Sequence, residues 1–438
     1  MKFNNKIVSL LTVGILVSPF AYATNGDEMM AVGSQSTALG GTGVANFMGA
    51  ESAWANPAML GKSKSSEVTG GVNLFTPKVN NTGMPPQGVA QDSKASTNYI
   101  PDVSYSSRVN DSLSYGVAVA GIAGMGVDYQ AAPPTHVYAK SALSILRVLP
   151  TIAYNALNYG LGLSPIFQSG SLRLSYNNGQ PGGDVNSTGS SDSSTGLGFA
   201  LGGYFNPSSA MTIGASYQSE IAASYGKQIS AAGNGFGLCG PSPCFGSPFA
   251  DDLNQPAQVK AGIAYTMAES LTVTADYKLI QWGSAKGYKD FDWQDQTVVA
   301  IGAKYTGSGY WLGLGYNNAN NPIGTLPASG PSNYRNAAVN FFNNMFFPAV
   351  VTNSYTLGGG YNISKDFAVE ASAVMTPQVT TNVDVSGILN AQGAPGSYAN
   401  TTTHSQQSYE ISLRYKFYTK KFASTTVILK PAKLAGFF

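Results

Sequence analysis

Few side chains in this sequence of 438 residues are equipped for covalent chemistry. Its two histidines stand in Pro133-Pro134-Thr135-His136 and Thr401-Thr402-Thr403-His404, stretches that read as exposed loops. A serine–histidine–acid relay would have to use one of them. No glycine-rich loop follows a strand and opens a helix to cradle a phosphate, and no cofactor or metal signature is present. This inventory argues against an enzyme. The two cysteines lie across a turn in Leu238-Cys239-Gly240-Pro241-Ser242-Pro243-Cys244-Phe245; in an exported chain, Cys239–Cys244 is expected as a local disulfide. What remains is charge. Arg173, Lys260 and Lys278 occupy alternate, wet positions of apolar segments, where a cation could hold an anionic headgroup. Lys304 and Arg414 share that wet side, and Asp276, Glu220, Glu370 and Glu410 are acids that could pair with the cations instead.

The segments carrying these cations alternate strictly. Leu271, Val273, Ala275, Tyr277 and Leu279 face one way, with Thr272, Thr274, Asp276 and Lys278 between them; Tyr409, Ile411, Leu413, Tyr415 and Phe417 repeat the pattern near the end. Period-two alternation marks strands with one greasy and one wet face. It predicts fourteen, at 66–78, 98–108, 112–122, 146–156, 158–176, 194–206, 210–226, 256–267, 270–281, 296–305, 309–318, 353–363, 367–379 and 406–417. Six connections are short turns and seven are long Gly/Pro/Ser/Asn-rich loops, in strict alternation. An even strand number with short turns at one end and long loops at the other is the pattern of an outer-membrane barrel. Strands descending to the short turns, or to the chain end, carry Tyr105, Tyr154, Tyr204, Tyr265, Tyr305, Tyr361 and Phe417, an aromatic girdle for the lipid–water boundary. Only 11% of residues are charged, against roughly 25% in soluble proteins. The expected class is an all-β, antiparallel transmembrane barrel.

Residues 1–23 read as an export signal, with Lys2 and Lys6, an apolar run from Ile7 to Val17, and Ala21-Tyr22-Ala23 at the cleavage site. Without Lys2 and Lys6 the basic side chains balance the 22 acidic ones, which argues against nucleic acid as a partner. Residues 66–417 are the barrel, and 418–438 a tail expected in the periplasm. Residues 24–65 lack alternation and are rich in small side chains. A fourteen-stranded lumen is too wide for wall side chains to fill, so this small N-terminal segment is expected to plug it.

Gly40-Gly41-Thr42-Gly43-x-Ala45, followed by Trp54-Ala55-Asn56-Pro57-Ala58-x-Leu60, resembles the N-terminal hatch of the FadL family. That family comprises long-chain fatty-acid and aromatic-hydrocarbon transporters of Gram-negative outer membranes. The resemblance continues through Leu253-Asn254-Gln255-Pro256-Ala257, Leu279-Ile280-Gln281-Trp282-Gly283-Ser284, Phe291-Asp292-Trp293-Gln294-Asp295-Gln296 and Ala300-Ile301-Gly302-Ala303-Lys304-Tyr305. It implies a fourteen-stranded barrel plugged by its hatch, and passive, ligand-gated uptake of a long-chain fatty acid or similar hydrophobic molecule. Neutral aromatic hydrocarbons are the alternative ligand; a porin or an adhesin is a more distant one. Release would follow movement of the hatch N-terminus, through a lateral opening at a distorted third strand. Gly116 and Gly121 in that strand are the candidate kinks. Phe341, Phe342, Phe346 and Phe347 in one long loop, with Met125, Val137, Tyr138 and Leu143 in another, either capture ligand at the surface or fold the loops over the barrel mouth. The expected partners are the ligand, outer-membrane lipid and lipopolysaccharide, and the barrel-assembly machinery. The chain is expected to be a monomer without cofactors.

Overall fold

The computed structural model describes residues 24–129, 138–176, 191–235, 249–268 and 270–417. Alternation becomes fourteen antiparallel strands: β1 Ser66–Asn81, β2 Asn98–Arg108, β3 Leu113–Tyr129, β4 Ala139–Asn155, β5 Tyr159–Tyr176, β6 Asp192–Ser208, β7 Met211–Gln218, β8 Gln258–Met267, β9 Leu271–Ile280, β10 Gln296–Thr306, β11 Tyr310–Ala319, β12 Asn353–Asn362, β13 Phe367–Asp384 and β14 Ala399–Phe417. Each pairs with the next. β14 then pairs with β1, from Phe417↔Ser66 to Thr402↔Asn81, and closes the barrel. Closure joins the two terminal strands, whose edges would otherwise stand bare in lipid at several kcal/mol per unpaired backbone group.

The greasy face is the outer one. On β8, Val259, Ile263, Tyr265 and Met267 are exposed, while Gln258, Gly262 and Ala264 face inward. Outward aromatics recur six residues apart as Tyr99/Tyr105, Phe199/Phe205, Tyr310/Tyr316, Tyr355/Tyr361 and Tyr409/Tyr415. They form two girdles, one at the short-turn end and one nearer the loops. Tyr204 is the exception to the expected girdle. It is 5% exposed and faces inward, because the outward face of β6 runs through Leu197, Phe199, Leu201 and Phe205. Lys62 of the N-terminal segment sits over its ring, 4.6 Å from the centroid.

Residues 24–62 lie against the inward face of this wall. A two-strand hairpin, Thr24–Asn25 with Glu28–Met29, leads into helix α1, Ser34–Ala38, and then into two 3-10 turns, Ala50–Trp54 and Pro57–Lys62. The seat is made of inward glycines. Gly302 and Gly315 face Leu39 and Gly40, Gly214 and Gly262 face Val44, Gly202 faces Asn56, and Gly162 faces the Pro57–Ala58 backbone. A side chain at any of these would occupy the space of the segment. Gly40 itself turns with φ 74° against the Tyr316 backbone, a conformation that favours glycine.

Several strand bounds differ from expectation. β7 ends at Gln218, and Ile221 and Ser224 leave the wall to bridge Gln255 and Asp252. β3 and β4 extend well above the predicted spans, and β14 begins at Ala399 rather than near 406. β14 also carries His404, which is buried rather than exposed in a loop; its Nδ1 lies 2.7 Å from the Pro348 carbonyl and its Nε2 3.1 Å from Gln406 Nε2. His136, Val137, Cys239, Cys244 and residues 1–23 and 418–438 lie outside the described residues.

Candidate functional site

Between the plug and the wall lies a cavity of about 80 Å³, several times the ~10–15 Å³ one water needs. Met29, Met30, Val32, Met48 and Trp54 line it from the plug, Ile122 and Val298 from the wall. Set into this apolar lining are Glu28, Glu51, Arg147, Lys260, Asp276 and Lys278. Sequence reasoning named both lysines, and the structure brings them together as cross-strand partners on β8 and β9. Lys260 Nζ donates to the Trp54 carbonyl at 3.3 Å. Lys278 Nζ makes no hydrogen bond among the described residues; like charges side by side in this arrangement are costly unless an acceptor joins them. Asp276 does not bond to it: its Oδ2 accepts from the Gly43 and Val44 amides at 2.7 and 2.9 Å, and its Oδ1 is buried without a hydrogen-bond partner. Arg173 is not in the cavity. It lies near the loop end of β5, its Nε donating to Ser175 Oγ at 3.2 Å.

Arg147, on β4, is the cation that alternation alone did not single out. Its guanidinium faces Glu28 at 3.6 Å and donates to Gln168 Oε1 at 2.9 Å and Gln218 Oε1 at 3.3 Å. Beside it, Asp27 is fully buried in the hairpin turn. Asp27 Oδ2 accepts from Tyr288 Oη and, at 3.3 Å, from Gln255 Nε2; Oδ1 has no partner. Burial, opposed by the Tyr288 hydrogen bond and reinforced by Glu28, pushes the Asp27 carboxyl up to about 7.

The remaining plug residues are anchored to the wall. Asn56 Oδ1 accepts from Ala58 N at 3.0 Å, capping the Pro57–Lys62 turn, and Nδ2 donates to the Val44 and Gly203 carbonyls at 2.7 and 3.0 Å. Gly40 N donates to Thr356 Oγ1 at 3.0 Å, and Gly41 N to Ser36 O at 2.9 Å. Arg414 gathers Glu51 at 2.5 Å, Glu370 at 2.9 Å and Glu67, joining plug to β1, β13 and β14. Burial and the neighbouring Glu370 and Glu67 raise the Glu51 carboxyl against the pull of Arg414. Among the described residues, no group of three or more His, Cys, Asp or Glu could hold a metal.

The four loop phenylalanines are not a surface patch. Helix α2, Tyr334–Phe346, buries Phe341, Phe342 and Phe346 completely or nearly so, and Phe347 is 8% exposed. They fold over the barrel mouth. Phe342 stacks on Phe291 at 4.9 Å and on Phe346 at 4.8 Å. Phe291 and Phe342, with Met125, Tyr288, Trp293 and Phe347, line a small apolar cleft, whose Tyr288 is the residue bonded to Asp27.

The wall itself has a window. β2 and β3 pair only from Arg108↔Ser114 to Asp102↔Ala120, although β2 continues to Asn98 beside β1 and β3 to Tyr129 beside β4. The β3–β4 register shifts between Gly121 and Ala123, leaving Ile122 as a bulge. From Ala120 to Val127 every residue is buried, so β3 leans into the lumen. Gly121 adjoins the distortion. Gly116 does not, being regularly paired with Ser106 and Thr151; it marks instead where Leu60 of the plug approaches. Above the gap the wall rejoins, with Asp128 N donating to Ser93 Oγ at 3.0 Å and Lys94 N to Asp128 O at 2.8 Å. Inside, the hairpin closes the window: Glu28 pairs with Ala123, and Gly124 N donates to Asp27 O at 2.9 Å.

A closed, plugged barrel with a lipid-facing girdle, an inner cavity and an interrupted wall defines a membrane channel. The chain belongs to the family of outer membrane protein transport proteins (OMPP1/FadL/TodX), whose sequence model matches residues 15–417; it is a β-barrel of the Gram-negative outer membrane. Similar folds include the crystal structures of the P. putida toluene transporter TodX (17% identity, 89% of this chain and 100% of that chain, TM-score 0.62) and a Pseudomonas aeruginosa FadL homologue (16%, 90% and 100%, 0.66). The Ralstonia pickettii toluene transporter TbuX is a third (18%, 89% and 99%, 0.60). No curated protein matches the chain.

Proposed function

We propose that this protein takes up a hydrophobic molecule with an anionic head, a long-chain fatty acid in the first instance. The observation that carries this reading is the Lys260–Lys278 cross-strand pair in the inner cavity, with Lys278 lacking a hydrogen-bond acceptor. A carboxylate between the two ammonium groups relieves their repulsion, and its alkyl tail lies along Met29, Met30, Met48 and Ile122. Residues 24–65 act as the hatch. The ligand enters through the aromatic cleft beneath α2, settles at the lysines, and leaves sideways when the hairpin releases the window. Uptake is passive; the ligand shifts the hairpin between two packings by binding one better than the other. This uses no catalytic chemistry.

A second reading, a neutral aromatic hydrocarbon, is favoured by the ring-lined cleft of Tyr288, Phe291, Trp293 and Phe342 and by the ligand named for TodX and TbuX. The test is uptake of labelled oleate and of toluene by a deletion strain expressing wild type or Lys278→Met. Oleate uptake cut roughly tenfold by this change, equivalent to one charge-assisted hydrogen bond, supports the fatty acid. Toluene uptake with no oleate uptake supports the hydrocarbon, and failure of the deletion to slow either ends both readings.

A further inference from the structure

One stretch of the seam between plug and wall is out of balance. Six buried side-chain oxygens without a hydrogen-bond partner gather there on three strands: Thr69 Oγ1 and Asn73 Oδ1 on β1, Asp102 Oδ1, Ser104 Oγ and Ser106 Oγ on β2, and Ser372 Oγ on β13. Each of these residues is more than nine-tenths buried. Register makes them neighbours. β14 runs between β13 and β1, and its Glu410 pairs with Ser372 on one side and Asn73 on the other. Gly71 is flanked by Asp102 and Ser412; a side chain starting there would lie 2.5 Å from Asp102 Oδ2 and 2.8 Å from Ser412 Oγ. The Asp102 carboxylate thus leans across the empty glycine position towards Ser412, whose hydroxyl donates to Glu410 Oε1 at 3.1 Å. Among the described residues no ion pair reaches Asp102 or Glu410. Arg414 is shared by Glu51, Glu67 and Glu370, and Lys304 donates to Gln35 at 3.1 Å instead.

Every unmet atom in this set is an oxygen. Water can satisfy the hydroxyls, but it leaves two buried negative charges uncompensated, and burial penalises those far more than a lone hydroxyl. Two carboxylates with an amide oxygen on the strand between them are ligands for a hard cation, and together they cancel one divalent charge. We propose that Asp102, Glu410 and Asn73 hold a calcium ion, with the Thr69, Ser104 and Ser372 hydroxyls bonding its remaining waters. Calcium accepts such a mixed, irregular oxygen set, whereas magnesium demands near-octahedral geometry and gives up its waters reluctantly. The ion rivets the plug to the wall. Thr37 Oγ1 donates to Glu410 Oε2 at 3.2 Å, and Ser34 Oγ lies 2.7 Å from Ser412 Oγ, so helix α1 rests directly on the site. The assignment is independent of which hydrophobic molecule the channel carries.

The probe is calcium chloride alone. The whole protein, refolded in nonionic detergent so that lipopolysaccharide is absent, is stripped with EGTA and titrated by calorimetry. Wild type is expected to bind one ion per chain. Asp102→Asn and Glu410→Gln should each weaken binding at least tenfold, since even groups that only orient a metal's ligands are worth about 10–100-fold in affinity. Each change removes a buried charge, so both variants should fold, which heat-modified gel mobility checks. Asp295→Asn, at an exposed loop acid, should bind calcium as wild type does. Protease nicking of residues 24–62 gives the second readout. Stripping should raise it in wild type and calcium should reverse the rise, whereas in Asp102→Asn calcium should make no difference. No binding by wild type at millimolar calcium, binding that survives both substitutions, or magnesium binding equally tightly overturns the assignment. Binding lost in both variants, with nicking insensitive to calcium throughout, overturns the rivet.

Discussion

Asp27 is the residue through which the mouth, the plug and the window touch. Tyr288 of the aromatic cleft donates to its carboxyl, while its backbone carbonyl accepts from Gly124 at the bulge. With the docked carboxyl pushed up from 3.8 to about 7, the docked hairpin keeps a proton that an undocked, hydrated Asp27 gives up above about 4. Docking is therefore strongest below that lower value and weakens as pH rises through 7. Glu28 adds to the effect and Arg147 opposes it. Emission of Trp282, which lies against Gly26, should shift over this range in wild type and stay flat in Asp27→Asn; a flat wild-type profile would remove Asp27 from the gate. The coupling was not legible in the sequence, because Asp27, Gln255 and Tyr288 are far apart in the chain and meet only through the barrel. The lysine pair was legible, since period two fixes the face of every strand residue. Arg173 obeyed the same rule and still missed the cavity: alternation assigns a side, not a height.

Strands were legible where one face meets lipid. Residues 219–226 alternate as well as any wall strand, yet Ile221, Ala223 and Tyr225 bury their apolar face inside the barrel mouth; alternation reveals a greasy face without saying what covers it. The start of β14 was hidden for the opposite reason. Asn400, Thr402, His404 and Gln406 point inward, and Thr401, Thr403 and Ser405 stand above the lipid band, so both faces are polar. The window is a further element-scale feature, produced by a single extra residue. Deleting Ile122 should restore continuous β3–β4 register and draw β3 back beside β2. Oleate uptake is then expected to fall to background while oleate binding to the purified protein persists, and loss of both would point to a misfolded lumen instead. The glycine seat is equally specific. Gly315→Val places a branched side chain into the Leu39–Gly40 backbone, so the plug should loosen and protease nicking of residues 24–62 should rise, whereas a valine at outward Gly203 should leave digestion unchanged.

At the scale of the molecule, the plug has to block ions while letting one apolar molecule through, and the anchors divide those tasks. Residues 34–62 are held at many points: Gly43 and Val44 on Asp276, Asn56 on Gly203, Thr42 on Thr274 at 2.7 Å, and Glu51 with Glu67 and Glu370 around Arg414. The hairpin ahead of them relies on fewer wall contacts, chiefly Thr24 N to Gln406 at 3.1 Å, Asp27 to Tyr288 and Gln255, and Glu28 to Arg147 and Gln258. On the proposed uptake route, opening would move the hairpin and leave the body of the plug seated, so ligand would pass without a water-filled bore. Arg414→Leu tests this division. It leaves three buried carboxylates without their shared cation, a loss of ~3–5 kcal/mol for a broken buried pair, and their mutual repulsion acts on Glu51, which belongs to the plug. Single-channel conductance in planar bilayers should rise towards that of a variant lacking residues 24–62, while wild type and Asp27→Asn stay nearly closed with or without oleate. If oleate alone made wild type conduct ions, the whole plug would be moving, and the separation between a fixed stopper and a mobile hairpin would fall.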